Sequence, residues 1–301
     1  MDVACADLVC QLIAAPLQYP FMQRAILAAI LIGIVCGVMG AYVVTRGMAF
    51  LGDALAHSIL PGVAVAFLMQ QNGQLAAGNQ PLMVGGLIAG VLSALGVGFL
   101  TRGARVREDT AIGIVFAGML ALGIGIISSA RNFAVDLSHV LIGNILAVGN
   151  DDVLLIGVAG IGVLLVIFLF YKEFLVVSFD PTLARTLHLP AEALRLVLLV
   201  LLAITIVIGV QVVGVALVAA LLVTPTATAR FFTQRLSALI VGGALLGALS
   251  GLIGLYMAWH LHVAPSAAIV LTATSLFLLA FCFAPKRGIV WSLLGKTAER
   301  A

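Results

Sequence analysis

Residues 50–68 read FLGDALAHSILPGVAVAFL. By length and apolar content this is a helix that spans a membrane, yet it carries Asp53 and His57. A carboxylate at the centre of a bilayer costs a few kcal/mol even on the most lenient insertion scales, so its surroundings must compensate. The two residues stand at i and i+4, which brings their side chains together on one face of a helix. Pro61 has no N–H to donate to the His57 carbonyl four residues back, so a kink is expected here, with that oxygen turned out of the helical ladder. Carboxylate, imidazole and carbonyl form an oxygen and nitrogen donor set that suits divalent manganese, iron or zinc better than monovalent copper. Counted from Arg46 at about 1.5 Å per residue, an unbroken helix puts His57 roughly 16 Å deep, the level at which transporters hold their cargo. From these residues alone three readings stay open: a metal pathway, a proton relay, and a buried ion pair that only orders helix packing.

The rest of the chain has the same character. Of 301 residues 63% are hydrophobic and 9% charged, with a mean hydropathy of +1.26, against roughly 25% charged for a soluble domain. The fold class is all-α: a polytopic transmembrane helical bundle forming a single domain over 1–301, since no polar stretch is long enough for a second one. MDVACADLVC at the start holds two acids and no basic region, so no cleaved signal is expected. Cys5, Cys10, Cys36 and Cys282 show neither zinc spacing nor a disulfide framework and read as small apolar residues.

Apolar runs predict about nine spans, within eight to ten, near 25–45, 50–70, 81–101, 111–130, 152–171, 196–210, 213–229, 236–258 and 265–284. The run 137–149 is too short to span and is read as re-entrant or as a short helix. Basic residues gather at Arg46, at Arg102, Arg105 and Arg107, from Lys172 to Arg195, at Arg230 and Arg235, and from Lys286 to Arg300. An N-terminus outside and a C-terminus in the cytoplasm puts all of these clusters inside, as the positive-inside rule asks. Residues 1–24 are then extracytoplasmic, and 178–192 and the tail 285–301 cytoplasmic, in a plasma or inner membrane. Glycines at four-residue spacing, Gly33 with Gly37, Gly86 with Gly90, and Gly243 with Gly247 and Gly251, mark faces for close helix packing.

A second polar-bearing span, VQVVGVALVAALLVTPTATARFF, holds Gln211, Thr224, Thr226 and Thr228, with Pro225 withdrawing a donor from the Leu221 carbonyl. Thr224 and Thr226 are candidates for a secondary pathway, set against threonines that merely satisfy a broken helix. His139, His260 and His262 fall on the expected outer side, as secondary metal contacts or as interfacial anchors beside Trp259. Two rival classes lack their marks. A secondary transporter commonly shows inverted repeats, and none is discernible; a metalloprotease needs a motif such as His-Glu-x-x-His, which is absent. In GIVWSLLGKT, Gly288 and Gly295 are separated by six residues where a P-loop needs four, so energy has to come from another subunit and the chain is not itself an enzyme.

In sequence order, FLGDALAHSILPGVAVAF, REDTAIGIVFAGMLALGIGIISS, VDLSHVLIGNILAV, FDPTLARTLHLP, VVGVALVAALLVTPTATARFF and HVAPSAAIVL resemble the permease subunits of ATP-binding-cassette transporters for zinc, manganese and iron. The resemblance implies a channel of two copies, driven by two cytoplasmic ATPase subunits and supplied by an extracytoplasmic metal-binding protein. ATP acts only through the ATPase, no cofactor is permanently bound, and no nucleic acid takes part. Asp53 and His57 are then the metal pathway. FDPTLARTLHLP, with Asp180 as N-cap, Pro181 opening a short helix and Pro190 stopping it, resembles the family's coupling helix, which assigns ATPase contact to Asp180, Pro181, Leu183, Ala184, Leu187 and His188. His188 stands where the family commonly has glycine. SHVLIGNILAV is more similar to the manganese and iron branch than to the zinc branch, so manganese is the expected cargo, with zinc or iron as the alternative.

Overall fold

Apolar runs become helices here wherever no proline or left-handed glycine interrupts them. The structure, a computed structural model, describes residues 16–76, 78–104, 106–128, 145–179 and 181–284. The helices are α1 Pro20–Thr45, α2 Leu51–Ser58, α3 Leu60–Gln71, α4 Asn79–Leu100, α5 Glu108–Ser128, α6 Asn150–Leu169, α7 Tyr171–Phe179, α8 Pro181–Thr186, α9 Ala191–Val213, α10 Val215–Ala229, α11 Leu236–Leu261 and α12 Pro265–Phe283. Pro20 and Pro265 open theirs in the first turn, where a missing N–H costs no hydrogen bond. Gly47 (φ +73°), Gly103 (φ +67°) and Gly214 (φ +90°) hold left-handed conformations between helices, which a side chain would disfavour.

Among the described residues the fold is all-α, with eight segments long and apolar enough to cross a membrane, α2 and α3 counting as one. The ninth expected span is α10, whose 15 residues rise about 22 Å, less than the roughly 30 Å hydrocarbon core. It lies against α1, α11 and α12, so neighbouring helices cover most of its surface. The break before it falls at Gly214, later than the sequence placed it, and brings Val218 of α10 against Gly209 of α9. Of the apolar run 137–149, a 3-10 turn at Ile145–Ala147 packs on α1, and residues 137–144 lie outside the described residues. Residues 1–15 and the tail 285–301 lie outside them as well.

α1 is the pillar of the bundle and α11 its most extensive contact. The two glycine faces meet each other. A Cβ on Gly33 would lie 2.5 Å from the Gly247 carbonyl oxygen, and one on Gly37 would overlap the backbone at Gly243. Lipid offers these helices no hydrophobic drive to associate, so close backbone packing is what holds them together. A similar contact joins α3 to α4, where Gly62 and Gly85 face each other. Gly86 and Gly90 lie instead against Val207 of α9. At one end of the bundle Glu108 of α5 takes the charges of Arg46, which follows α1, and of Arg195 in α9, so the ends of three helices are joined.

These contacts give an expectation that the purified protein can check. Gly37→Leu should abolish recovery of monodisperse folded protein from detergent. Gly157→Ala on α6, where an added Cβ meets nothing within 4 Å, should leave yield and unfolding midpoint unchanged.

Candidate functional site

The chain leaves α1 through a turn at Gly47 and re-enters the bundle as α2. Leu51, Gly52, Ala54, Leu55, Ala56 and Ser58 of α2 are all buried, and the Ser58 hydroxyl donates to the Ala54 carbonyl at 2.7 Å. Asp53 and His57 alone in this helix are not buried, with side chains 46% and 32% exposed. His57 Nε2 lies 3.6 Å from Asp53 Oδ1, an i,i+4 ion pair when the histidine is protonated but too long for a hydrogen bond. Together with exposed Phe50 they form the open face of α2. Phe116 of α5 flanks it, its ring in edge contact with His57 at 6.1 Å and with Phe50 at 5.6 Å.

Pro61 breaks the helix as expected: α2 ends at Ser58, Ile59 intervenes, and Pro61 lies in the first turn of α3. The His57 carbonyl is not left free, however, because the Ile59 N–H turns back onto it. Residues 46–50 are not helical, so the unbroken helix from Arg46 on which the depth of roughly 16 Å rested is absent; from the start of α2 His57 stands about 9 Å along the axis. Among the described residues no group of three histidine, cysteine or acidic side chains surrounds a common point. Among the described residues, one copy of the chain therefore presents two side-chain ligands and an open side.

The other candidates stand apart from this pair. Thr226 is fully buried and donates to the Gly37 carbonyl of α1 at 2.9 Å, and Thr228 donates to the Thr224 carbonyl at 2.8 Å. Thr226 thus joins α10 to α1, while Thr224 is half-buried and Pro225 buried. Gln211 lies near Gly86 of α4. His260 and His262 are exposed at the end of α11, where Trp259 packs its ring on Tyr19 at 5.2 Å. Tyr19 precedes α1 and Arg46 follows it; the intervening 26 residues separate its two ends by about 39 Å. The structure thus places these histidines at the far end from the turn that leads into α2. His139 and Asp180 lie outside the described residues.

α8 begins at Pro181, with Ala184 buried and Leu183 and Leu187 exposed. His188 has φ +54°, and the Leu189 N–H reaches the Ala184 carbonyl at 3.0 Å. This is a Schellman ending with His188 at the left-handed position that glycine usually fills. Phe50 and Phe116 went unnoticed in the sequence, where an aromatic in an apolar run carries no mark of its neighbour.

A family model described as "ABC 3 transport family" matches residues 18–284. The manganese transport system membrane protein MntC of Listeria monocytogenes is 43% identical over 276 residues, 92% of this chain and 95% of that protein. The chelated iron transport system membrane protein YfeD of Yersinia pestis is 37% identical, over 90% of this chain and 88% of its own length. Among solved structures, "PsaBC from Streptococcus pneumoniae in complex with Fab" superposes with a TM-score of 0.78 at 36% identity, covering 93% of this chain and 97% of that one.

A left-handed non-glycine residue costs roughly 1 kcal/mol. His188→Gly should therefore raise the apparent unfolding midpoint of the purified protein by a few degrees, read by scanning fluorimetry.

Proposed function

The chain belongs to the ABC 3 transport family, and on that premise we propose that it forms, with a second copy of itself, the membrane pathway of a manganese importer. It is the multi-pass permease subunit of an ATP-binding-cassette transporter and not itself an enzyme. One observation carries the reading. Asp53 and His57, adjacent but not hydrogen-bonded to each other, lie on the open side of an otherwise buried helix. Hydrocarbon is not a tolerable neighbour for such a pair, whereas a cation in a protein-lined pathway is.

Manganese favours about six oxygen and nitrogen ligands, and the described residues of a single copy offer two side chains here. A two-fold partner facing the open side of α2 brings a second aspartate and a second histidine, with water completing the shell. Arg46, Glu108 and Arg195 belong to the end read as cytoplasmic by the positive-inside rule, with the N-terminus outside and an extracytoplasmic protein delivering the metal. At the cytoplasmic end α8 offers exposed Leu183 and Leu187 to the ATPase. The donor set also accommodates ferrous iron, the reading favoured by likeness to the Yersinia pestis protein.

Asp53→Ala and His57→Ala are each expected to cut manganese uptake at least about tenfold, since even a change behind a ligand costs ten- to a hundredfold. Metal content of cells grown under manganese limitation is the measurement, with co-purification of the ATPase unchanged. Wild-type uptake by both variants overturns the pathway. A loss of iron or zinc in place of manganese keeps the pathway and overturns the cargo.

A further inference from the structure

A second polar site lies at the end of the bundle where α1, α5 and α9 are joined. A cavity of about 490 Å³ there is lined by Arg46, Glu108, Glu192 and Arg195, with Val177, Leu189, Pro190 and the start of α9 among its walls. Arg46 Nη2 donates to Glu108 Oε1 at 3.0 Å, and Arg195 Nε lies 2.8 Å from the same oxygen. Two guanidinium groups thus share one carboxylate oxygen. Arg195 Nη1 also reaches the Thr101 carbonyl at 3.5 Å. Arg46 Nη1 and Arg195 Nη2 are buried without a hydrogen-bond partner among the described residues. The Arg46 side chain is only 9% exposed, and a buried charged donor left unpaired is costly. Burial draws the Arg46 guanidinium below its usual range, Glu108 pushes it back up and Arg195 lowers it again; an arginine nonetheless stays charged.

The cavity wall includes the N-terminus of α9, a helix of 23 residues. Its N-cap is Pro190, which has no N–H, and the Ala191 N–H is taken by the Leu189 carbonyl at 2.8 Å, so the Glu192 and Ala193 amides are the first-turn donors left to favour an anion together with the helix dipole. Glu192 opposes this, but it is exposed and directed to the Gly103 N–H at 3.4 Å, where solvent weakens its charge. Spare nitrogens on two arginines beside a helix N-terminus call for a ligand with several oxygens spread around one centre, and arginine forks match phosphate in this way.

We propose that this cavity binds a phosphate-type oxyanion through Arg46, Arg195 and the first turn of α9. The ligand is either free phosphate or a phospholipid headgroup, both of which reach a cavity at the end of a membrane helix. Bound there, it bridges the ends of α1 and α9, and Glu108 competes with it for both arginines. The site is separate from the metal pair and its test needs no metal.

The test uses the full-length chain in maltoside micelles, which contain no phosphate, titrated with inorganic phosphate against chloride at matched ionic strength, and in parallel with phosphatidylglycerol added to the micelles. The unfolding midpoint should rise saturably with phosphate, with phosphatidylglycerol, or with both; the first alone identifies free phosphate and the second alone a headgroup. Arg195→Gln should weaken the apparent affinity about tenfold, and Glu108→Gln should strengthen it, a change of opposite sign that a merely structural role does not produce. Where Arg195→Gln fails to fold, Arg195→Lys, which keeps the charge and loses the fork, should give an intermediate weakening. No saturable shift with either probe overturns the proposal. So does a shift unaltered by the Arg195 and Glu108 variants.

Discussion

An ionisable pair on a membrane-spanning helix has to be faced by water, a cation or protein, because lipid cannot compensate it. In this chain that constraint falls on Asp53 and His57 and orders the structure around them. α2 buries every other residue it has, so the pair can look only one way. Gly47 supplies the turn that starts the helix and Pro61 the break that ends it. The result is a short platform of two turns with an adjacent carboxylate and imidazole on its open side.

The scaffold keeps that platform in place. α1 meets α11 at glycine, and Thr226 fastens α10 to α1 through the Gly37 carbonyl. Leu222 of α10 in turn lies against Gly52 of α2 and against Gly40 of α1. The line from the central packing to the pair is therefore short: the Thr226 hydroxyl on a backbone carbonyl, then Leu222 packed by its carbonyl on Gly40 and by its side chain on Gly52. At the basic end Glu108 holds Arg46 and Arg195 together, so a movement of α5 or α9 there is felt at the turn that leads into α2.

Much of this was legible in the sequence because it is written in local periods. The apolar runs marked the helices, Pro61 and Pro181 marked a break and a start, and glycines four apart marked packing faces. The partner of each face was not legible. Gly37 and Gly243 are adjacent only after folding, as are Arg46 and Glu108, which are 62 residues apart in sequence. Local periodicity misled in one respect: it carries a helix from Arg46 to His57, whereas the left-handed Gly47 interrupts it. His188 looked like a departure from pattern, and the structure shows a histidine holding the left-handed conformation that glycine would take. The Ile59 N–H meets the His57 carbonyl because a helix break rearranges its own donors, which proline position alone does not specify.

The central claim is that Asp53 and His57 are half of a metal site that a second copy completes. Paramagnetic resonance of manganese bound to the assembled transporter tests it most directly. The account predicts one tightly held ion for every two copies of this chain, with a nitrogen coupling that disappears in His57→Ala. One ion per chain, or a nitrogen coupling that survives that substitution, would contradict it.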